Sequence, residues 1–203
     1  MPYTDAMYSN FSGRVISYVV ASDTGLAPNI MGEICTLTVC KPVIRRVART
    51  GDLIVGFSTA RDDRHKVIYA MYVDEKILYE DYFNDPRFQC KKPIYLSNGD
   101  NFFSKNQNQL QIAFKNAAHY GKEIAIQRDL KTPFSIVGKQ FWYFGRNAPI
   151  LPIALHGTKL TLNDTYRRGH RITTTPTSID TLQKWLHHFP SGVHGKPRDL
   201  KPL

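Results

Sequence analysis

The chain of 203 residues carries 27 Lys and Arg against 17 Asp and Glu, a formal net charge of +10. Residues 1–100 hold 12 basic and 12 acidic side chains, whereas residues 101–203 hold 15 and 5 together with six of the seven histidines, so the whole excess lies in the second half. With 42% hydrophobic and 12% aromatic residues the composition excludes a disordered tail, and a lopsided positive charge points to a polyanionic partner, a solubilising surface being the plainer alternative.

Residues 13–21 are β-branched and aromatic and read as a strand that ends at Ser22-Asp23-Thr24-Gly25; residues 33–39 alternate as a second strand. Residues 41–49 predict a short helix. Pro42 suits its first turn, Val43, Ile44, Val47 and Ala48 form an apolar stripe, and Gly51 supplies the stop. Its other face carries Lys41, Arg45, Arg46 and Arg49. Residues 52–57 and 67–73 predict two strands joined by a polar turn, the second apolar on both faces, as in a strand covered on both sides.

Residues 79–92 are aromatic and charged, and Pro86 and Pro93 argue for irregular structure. Residues 104–120 predict a helix with Leu110, Ala113, Phe114 and Ala117 on one face, and residues 134–144 a strand that holds Phe141, Trp142, Tyr143 and Phe144. The clearest helix is the last, with Thr177 as cap, Asp180 at capping-box spacing, and Ile179, Leu182, Trp185, Leu186 and Phe189 on one stripe. The expected architecture is α+β: one compact domain over residues 1–190, with a curved mixed β-sheet flanked by short helices, then a basic tail over residues 191–203.

No run approaches the roughly 18 apolar residues of a membrane span, and the opening Met-Pro-Tyr-Thr-Asp lacks the basic-then-apolar pattern of an export signal. Cys35, Cys40 and Cys90 form no CxxC pair, which argues against a disulfide framework or a four-cysteine zinc site and for a reducing cytoplasm, with the thiols as small buried hydrophobes. The GxSxG, HExxH, GxxxxGK[ST] and GxGxxG signatures are absent, as is the zinc-deaminase pattern. His187 and His188 share no helical face with a third ligand, so neither a metal nor a cofactor is expected.

Three groups of residues point to nucleic acid. Lys41, Arg45, Arg46 and Arg49 concentrate cations on one short helix, and the planar guanidinium fork suits phosphate oxygens; an ion pair of Arg45 or Arg46 with Asp52 or Asp81 that fixes the helix is the alternative. Trp142 and Tyr143 lie on an aromatic strand just before Arg146, the pairing by which proteins stack an unpaired base beside its phosphate; packing in the core is the alternative. The Gly-rich basic runs Arg167-Arg168-Gly169-His170-Arg171 and His194-Gly195-Lys196-Pro197-Arg198 suit phosphate contact or an unordered surface.

Several segments together carry a resemblance. Asp23-Thr24-Gly25-Leu26-Ala27-Pro28-Asn29, Cys35-Thr36-Leu37, Cys40-Lys41-Pro42 leading into Ile44-Arg45-Arg46 and Gly51-Asp52, Gly99-Asp100-Asn101, residues 141–146 with Pro149 and Pro152, Gly169-His170-Arg171 and Gly192-Val193-His194-Gly195-Lys196-Pro197 resemble, in this order, the nucleotide modification associated domain 2 family. The family takes its name from its neighbourhood with DNA-base-modifying systems of phages and bacteria. The layout is also similar, more distantly, to the PUA-like group with its EVE and YTH reader domains, which implies a sheet closed into a barrel.

The expected function is a cytoplasmic module that binds nucleic acid, DNA before RNA, or a nucleotide, and recognises a modified base. Lys41, Arg45 and Arg46 would hold phosphate, Trp142 or Tyr143 would stack a base, Arg146, Arg171 and His194 would line the opening, and Asp52 would orient an arginine or accept from a base edge. The alternative is an enzyme, a transferase or hydrolase acting on a nucleotide or modified base, with Asp23, Asn29, Lys41, Asp52 and His194 converging in one pocket. A structural or subunit-contact protein is the third reading.

Overall fold

Strand β1, Val15–Val19, is buried along its whole length, the mark of a strand covered on both faces. In the computed structural model, which describes residues 11–59, 65–92, 99–101, 128–129, 131–161 and 169–199, β1 lies inside a mixed six-stranded sheet. It pairs in parallel with β3, Leu53–Phe57. The crossover between them holds β2, Cys35–Leu37, and the short helix α1, Pro42–Val47. Beyond β3 the sheet continues antiparallel through β4, Val67–Tyr72, to β7, Phe141–Tyr143. Its edges are β8, His170–Thr173, antiparallel to β1, and β9, Gly192–Val193, parallel to β7.

The second sheet is smaller. It runs in the order β2, then β6 (Phe134–Gly138), then β5 (Glu75–Leu78), all antiparallel. Parity along the strands sorts the core into layers. One face of the large sheet sends Val15, Val19, Val55 and Trp142 against helix α3, Pro176–Leu186, which answers with Ile179, Leu182 and Leu186. The other face sends Ile16, Tyr18, Tyr69 and Tyr143 against Ile44 and Ala48 from the α1 segment and against Cys35, Leu37 and Ile136 of the small sheet. Behind the small sheet, Val137 packs on Tyr82 of α2, Tyr79–Asn84, and on Phe88 of a 3₁₀ turn, Pro86–Lys91.

The α+β class and the mixed sheet flanked by few helices agree with expectation, but the closed barrel does not. Among the described residues, β8 and β9 end the large sheet unpaired with one another, because β2, β5 and β6 form a separate sheet stacked on one face instead of carrying the first one around. Residues 134–144 accordingly make two strands in two sheets. The crossing passes Gly138, where a Cβ would stand 2.6 Å from the Tyr72 carbonyl oxygen. Residues 79–92, expected to be irregular, form α2 and the 3₁₀ turn, the latter entered through Pro86 with the Asp85 side chain accepting the Arg87 N–H.

The last helix keeps its apolar stripe but begins earlier than its capping-box signal. Pro176 occupies the first helical position and Thr175 the cap, since a proline at that position loses no hydrogen bond. The helix expected over residues 104–120 lies outside the described residues. No helix among the described residues is long and apolar enough to cross a membrane.

Residues 192–199, read from sequence as part of a basic tail, cross the surface as a strap. Val193 pairs with Tyr143 in β9, and the next turn lies on the chain that leaves β7. Gly195 meets the Phe144 carbonyl so closely that a Cβ would stand 2.1 Å from its oxygen, and Gly145 meets the Lys196 carbonyl at 2.2 Å in the same way. Gly195→Ala therefore pushes against backbone that cannot rotate aside. Its expected cost is about 1–3 kcal/mol, read as a lower denaturant midpoint with faster proteolysis beyond residue 190. Gly169→Ala, whose added Cβ meets nothing within 4 Å, does not lower the midpoint.

Candidate functional site

The parallel pair β1 and β3 gives the large sheet two unlike ends. At the carboxyl end of β1 the chain leaves the sheet, returns through β2 and turns into α1 at Cys40 and Lys41. Both residues hold left-handed backbone, with φ of 57° and 43°, a conformation that costs non-glycine residues about 1–3 kcal/mol each unless the surroundings impose it. Here they do. The Cys40 N–H donates to Asp129 Oδ2 at 2.9 Å, the Cys40 carbonyl accepts from Arg45 Nε at 2.8 Å, and the Lys41 carbonyl accepts from the Arg45 N–H at 3.1 Å.

This turn lays Lys41 back over the end of β1. Its ammonium donates to the Val19 carbonyl at 3.2 Å and stands 4.8 Å from the centre of the Tyr18 ring. A cleft of about 600 Å³ opens there, bounded by residues 19–22 and 40–44, Ala27, Arg128, Gly169 and His170. That volume falls within the range of small-molecule sites, and the carboxyl end of parallel strands is where open α/β sheets bind ligands. Burial lowers the His170 imidazole below the usual histidine range, so it is neutral at pH 7 and offers hydrogen bonds rather than charge. Burial pushes the Cys40 thiol up to about 12, which leaves it protonated and a poor nucleophile. The cleft thus combines the cations Lys41 and Arg128, a neutral imidazole, and apolar walls from Val19, Val20, Pro42 and Val43.

Arg45 stands behind the cleft and does not face it. Its side chain is 0% exposed. Nη1 donates to the Tyr79 hydroxyl and to the carbonyls of Thr132 (2.7 Å) and Phe134 (2.9 Å), and Nη2 donates to the Asp129 carbonyl at 3.0 Å and lies 3.6 Å from that residue's Oδ1. The phosphate-binding role expected for Arg45 is therefore corrected: its donors are spent on protein oxygens. Arg46, one residue on, is exposed.

The other expected residues do not join Lys41. Asp52 is buried at the amino end of β3, the opposite end of the parallel pair, and does orient an arginine. It accepts from Arg14 Nη2 at 3.1 Å, the Ser12 hydroxyl at 2.7 Å and the Arg49 N–H at 2.9 Å. Trp142 and Tyr143 point to opposite faces of the large sheet and are buried in its two cores, Trp142 with its indole N–H on the Phe189 carbonyl at 2.9 Å. Neither offers a face to a base, because each face of this strand is covered. His194 stacks on Phe144, ring centres 5.0 Å apart. Arg146 is exposed with Nε on the Pro197 carbonyl. Arg171 pairs with Ser17, next to the Tyr18–His170 pair, so the pleat turns it to the face away from the cleft. Asn29 is buried too, accepting from Lys91 Nζ at 3.1 Å. The set Asp23, Asn29, Lys41, Asp52 and His194 does not converge.

The cleft residues that sequence reasoning missed are Arg128 and the role of His170. His170 lay within a noted basic run; Arg128 carried no local signal. A smaller cleft of about 310 Å³ lies at Gln140, Trp142 and residues 187–191. Among the described residues no group of three or more His, Cys, Asp and Glu is placed to hold a metal ion.

One wall of the main cleft leads into the strap. Asp23, just past Ser22, is buried and accepts from the Tyr143 hydroxyl at 2.5 Å and the Arg198 N–H at 3.0 Å, while Asp199 Oδ2 accepts from the Asp23 N–H at 2.7 Å and the Asp199 N–H donates to the Asp23 carbonyl at 2.8 Å. A comparable buried knot holds the small sheet: Asp100 accepts from Thr36 and Tyr82, each at 2.7 Å, and Lys91 donates to the Ile34 carbonyl at 2.7 Å.

A family model described as nucleotide modification associated domain 2 matches residues 12–202. No curated protein and no solved structure matches the chain. The motif residues now have places: Asp23 and residues 192–199 grip one another, Gly192-Val193 lies against residues 142–143, Asp100 anchors the small sheet, and Cys40-Lys41-Pro42 forms the rim of the cleft.

Burial holds the Asp23 carboxyl above the usual aspartate range, against the opposing pull of its hydrogen bonds from Tyr143 and Arg198. The folded chain therefore keeps this proton longer than the unfolded chain. The stability that Asp23 contributes is full below the ordinary aspartate value of about 3.9 and is lost as pH rises through the raised one. Asp23→Asn cannot ionise, so the melting temperature of the parent minus that of the variant is expected to fall as pH rises across this window, as read by thermal melts in a pH series.

Proposed function

The chain belongs to the nucleotide modification associated domain 2 family, and on that premise we propose that it is a binding module that takes one nucleotide into the cleft at the end of β1, either free or held out of a DNA strand. The observation that carries this reading is the convergence of Lys41 and Arg128, from distant parts of the sequence, over an apolar wall. Lys41 and Arg128 hold the phosphate, since cations are the natural partners of phosphate oxygens. The apolar wall of Val19, Val20, Pro42 and Val43 takes the base, and a base modification reaches the same wall. The neutral His170 hydrogen-bonds to a base or sugar edge.

Exposed Arg46 and Arg146 supply further contacts to a strand backbone, which is the use this reading gives to the net positive charge. Base stacking does not involve Trp142 or Tyr143. The cytoplasm suits the three cysteines, which are free thiols. DNA is the polymer this reading favours, since the resemblance implies a neighbourhood with DNA-base-modifying systems.

Binding is tested by titrating deoxyadenosine monophosphate, and separately a short fluorescein-labelled single-stranded DNA, into the purified chain. Lys41→Ala and Arg128→Ala are each expected to weaken both about tenfold, the loss of one charge-assisted hydrogen bond. Affinity for the strand is expected to fall steeply between about 50 and 200 mM salt. Binding that ignores both salt and these substitutions contradicts the reading.

A further inference from the structure

The two cations of the cleft come from segments far apart in sequence, and one buried ion pair is joined to both. Lys41 sits on the strained turn whose peptide groups are held from two sides: Asp129 takes the Cys40 N–H, and Arg45 takes the Cys40 carbonyl through Nε and the Lys41 carbonyl through its own N–H. Arg128 is the residue before Asp129, and the Asp129 backbone is itself fixed by the bond from Arg45 Nη2 to its carbonyl. The carboxylate of Asp129 and the guanidinium of Arg45 lie 3.6 Å apart, both nearly free of solvent. Tyr79 closes the cage: its hydroxyl oxygen accepts from Arg45 Nη1, and its one proton is shared between the carbonyls of Thr38 and Asp129, each 3.0 Å away.

We infer that Arg45 and Asp129 are positioning residues for phosphate recognition: the pair sets where Lys41 and Arg128 stand relative to one another, without either member touching the ligand. The inference rests on the binding reading above and adds to it the reason that two consecutive non-glycine residues hold left-handed backbone at the rim. With Asp129 absent, the Cys40 N–H loses its acceptor, the turn relaxes toward ordinary backbone, and the Lys41 ammonium leaves the end of β1. A phosphate then meets one cation in place of two. Asp129→Asn keeps a side-chain oxygen for the Cys40 N–H and so keeps the turn.

The test is a double-mutant cycle read with deoxyadenosine monophosphate, each affinity expressed per folded molecule. Asp129→Ala is expected to weaken binding about tenfold, and Asp129→Asn to restore affinity to within about twofold of the parent. In a Lys41→Ala background, Asp129→Ala is expected to add no more than about twofold, because its effect passes through the residue already removed. Parent-like binding by Asp129→Ala, or a full further tenfold loss in the Lys41→Ala background, overturns the inference while leaving the binding reading intact. Should Asp129→Ala not fold, Asp129→Ser, too short to reach the Cys40 N–H, takes its place in the cycle: a tenfold loss in the folded Ser variant supports the inference, and near-parental affinity overturns it. Absence of binding by the parent chain overturns the reading and the inference together.

Discussion

A single buried charge organises this molecule. The Arg45 guanidinium has no exposed surface, and a charge inside a protein has to be met by protein atoms, since breaking a buried ion pair by removing one partner costs about 3–5 kcal/mol. Its partners come from the Cys40 carbonyl at the start of α1, Tyr79 at the start of α2, Asp129, and the carbonyls of Thr132 and Phe134 leading into β6. Helix α1 belongs to the crossover of the large sheet, and β6 is the centre of the small one. The two sheets are therefore tied together at Arg45 as well as by the apolar layer between them, and the geometry of that tie fixes the turn that carries Lys41.

The two ends of the parallel pair have diverged in consequence. At the amino end, Asp52 gathers the Ser12 hydroxyl, Arg14 Nη2 and the Arg49 amide on one buried carboxylate. At the carboxyl end, a cleft opens between the start of the same crossover helix and the start of β8, lined by Lys41, Arg128 and His170. The strap of residues 192–199 completes this end by gripping Asp23 beyond the cleft wall.

Much of the layering was legible in the sequence. The apolar stripe of the last helix, the doubly apolar strand over residues 67–73 and the short helix after Lys41 follow from periodicity, which survives because burial enforces it. What was not legible depended on partners distant in sequence. Arg45 and Arg46 are chemically identical neighbours, but consecutive helical residues point about 100° apart; one meets Asp129, 84 residues away, and the other meets solvent. Trp142 and Tyr143 read equally well as a stacking platform or as core, because a strand buried on both faces shows the same alternation as one with an aromatic face exposed. The open sheet among the described residues was not legible for a related reason: nothing local distinguishes a strand that continues a sheet from one that leaves it, as the chain does between β6 and β7. Arg128 had no periodicity or motif to mark it, and only the fold brings it to Lys41.

Chemical-shift mapping reads the location of the site residue by residue. Titration of deoxyadenosine monophosphate into the ¹⁵N-labelled chain is expected to shift the amides of residues 19–22, 40, 41, 43, 44, 128, 169 and 170, and to leave those around Asp52 unmoved. Shifts confined to Gln140, Trp142 and residues 187–191, or scattered over the exposed basic surface with none at the end of β1, would contradict it.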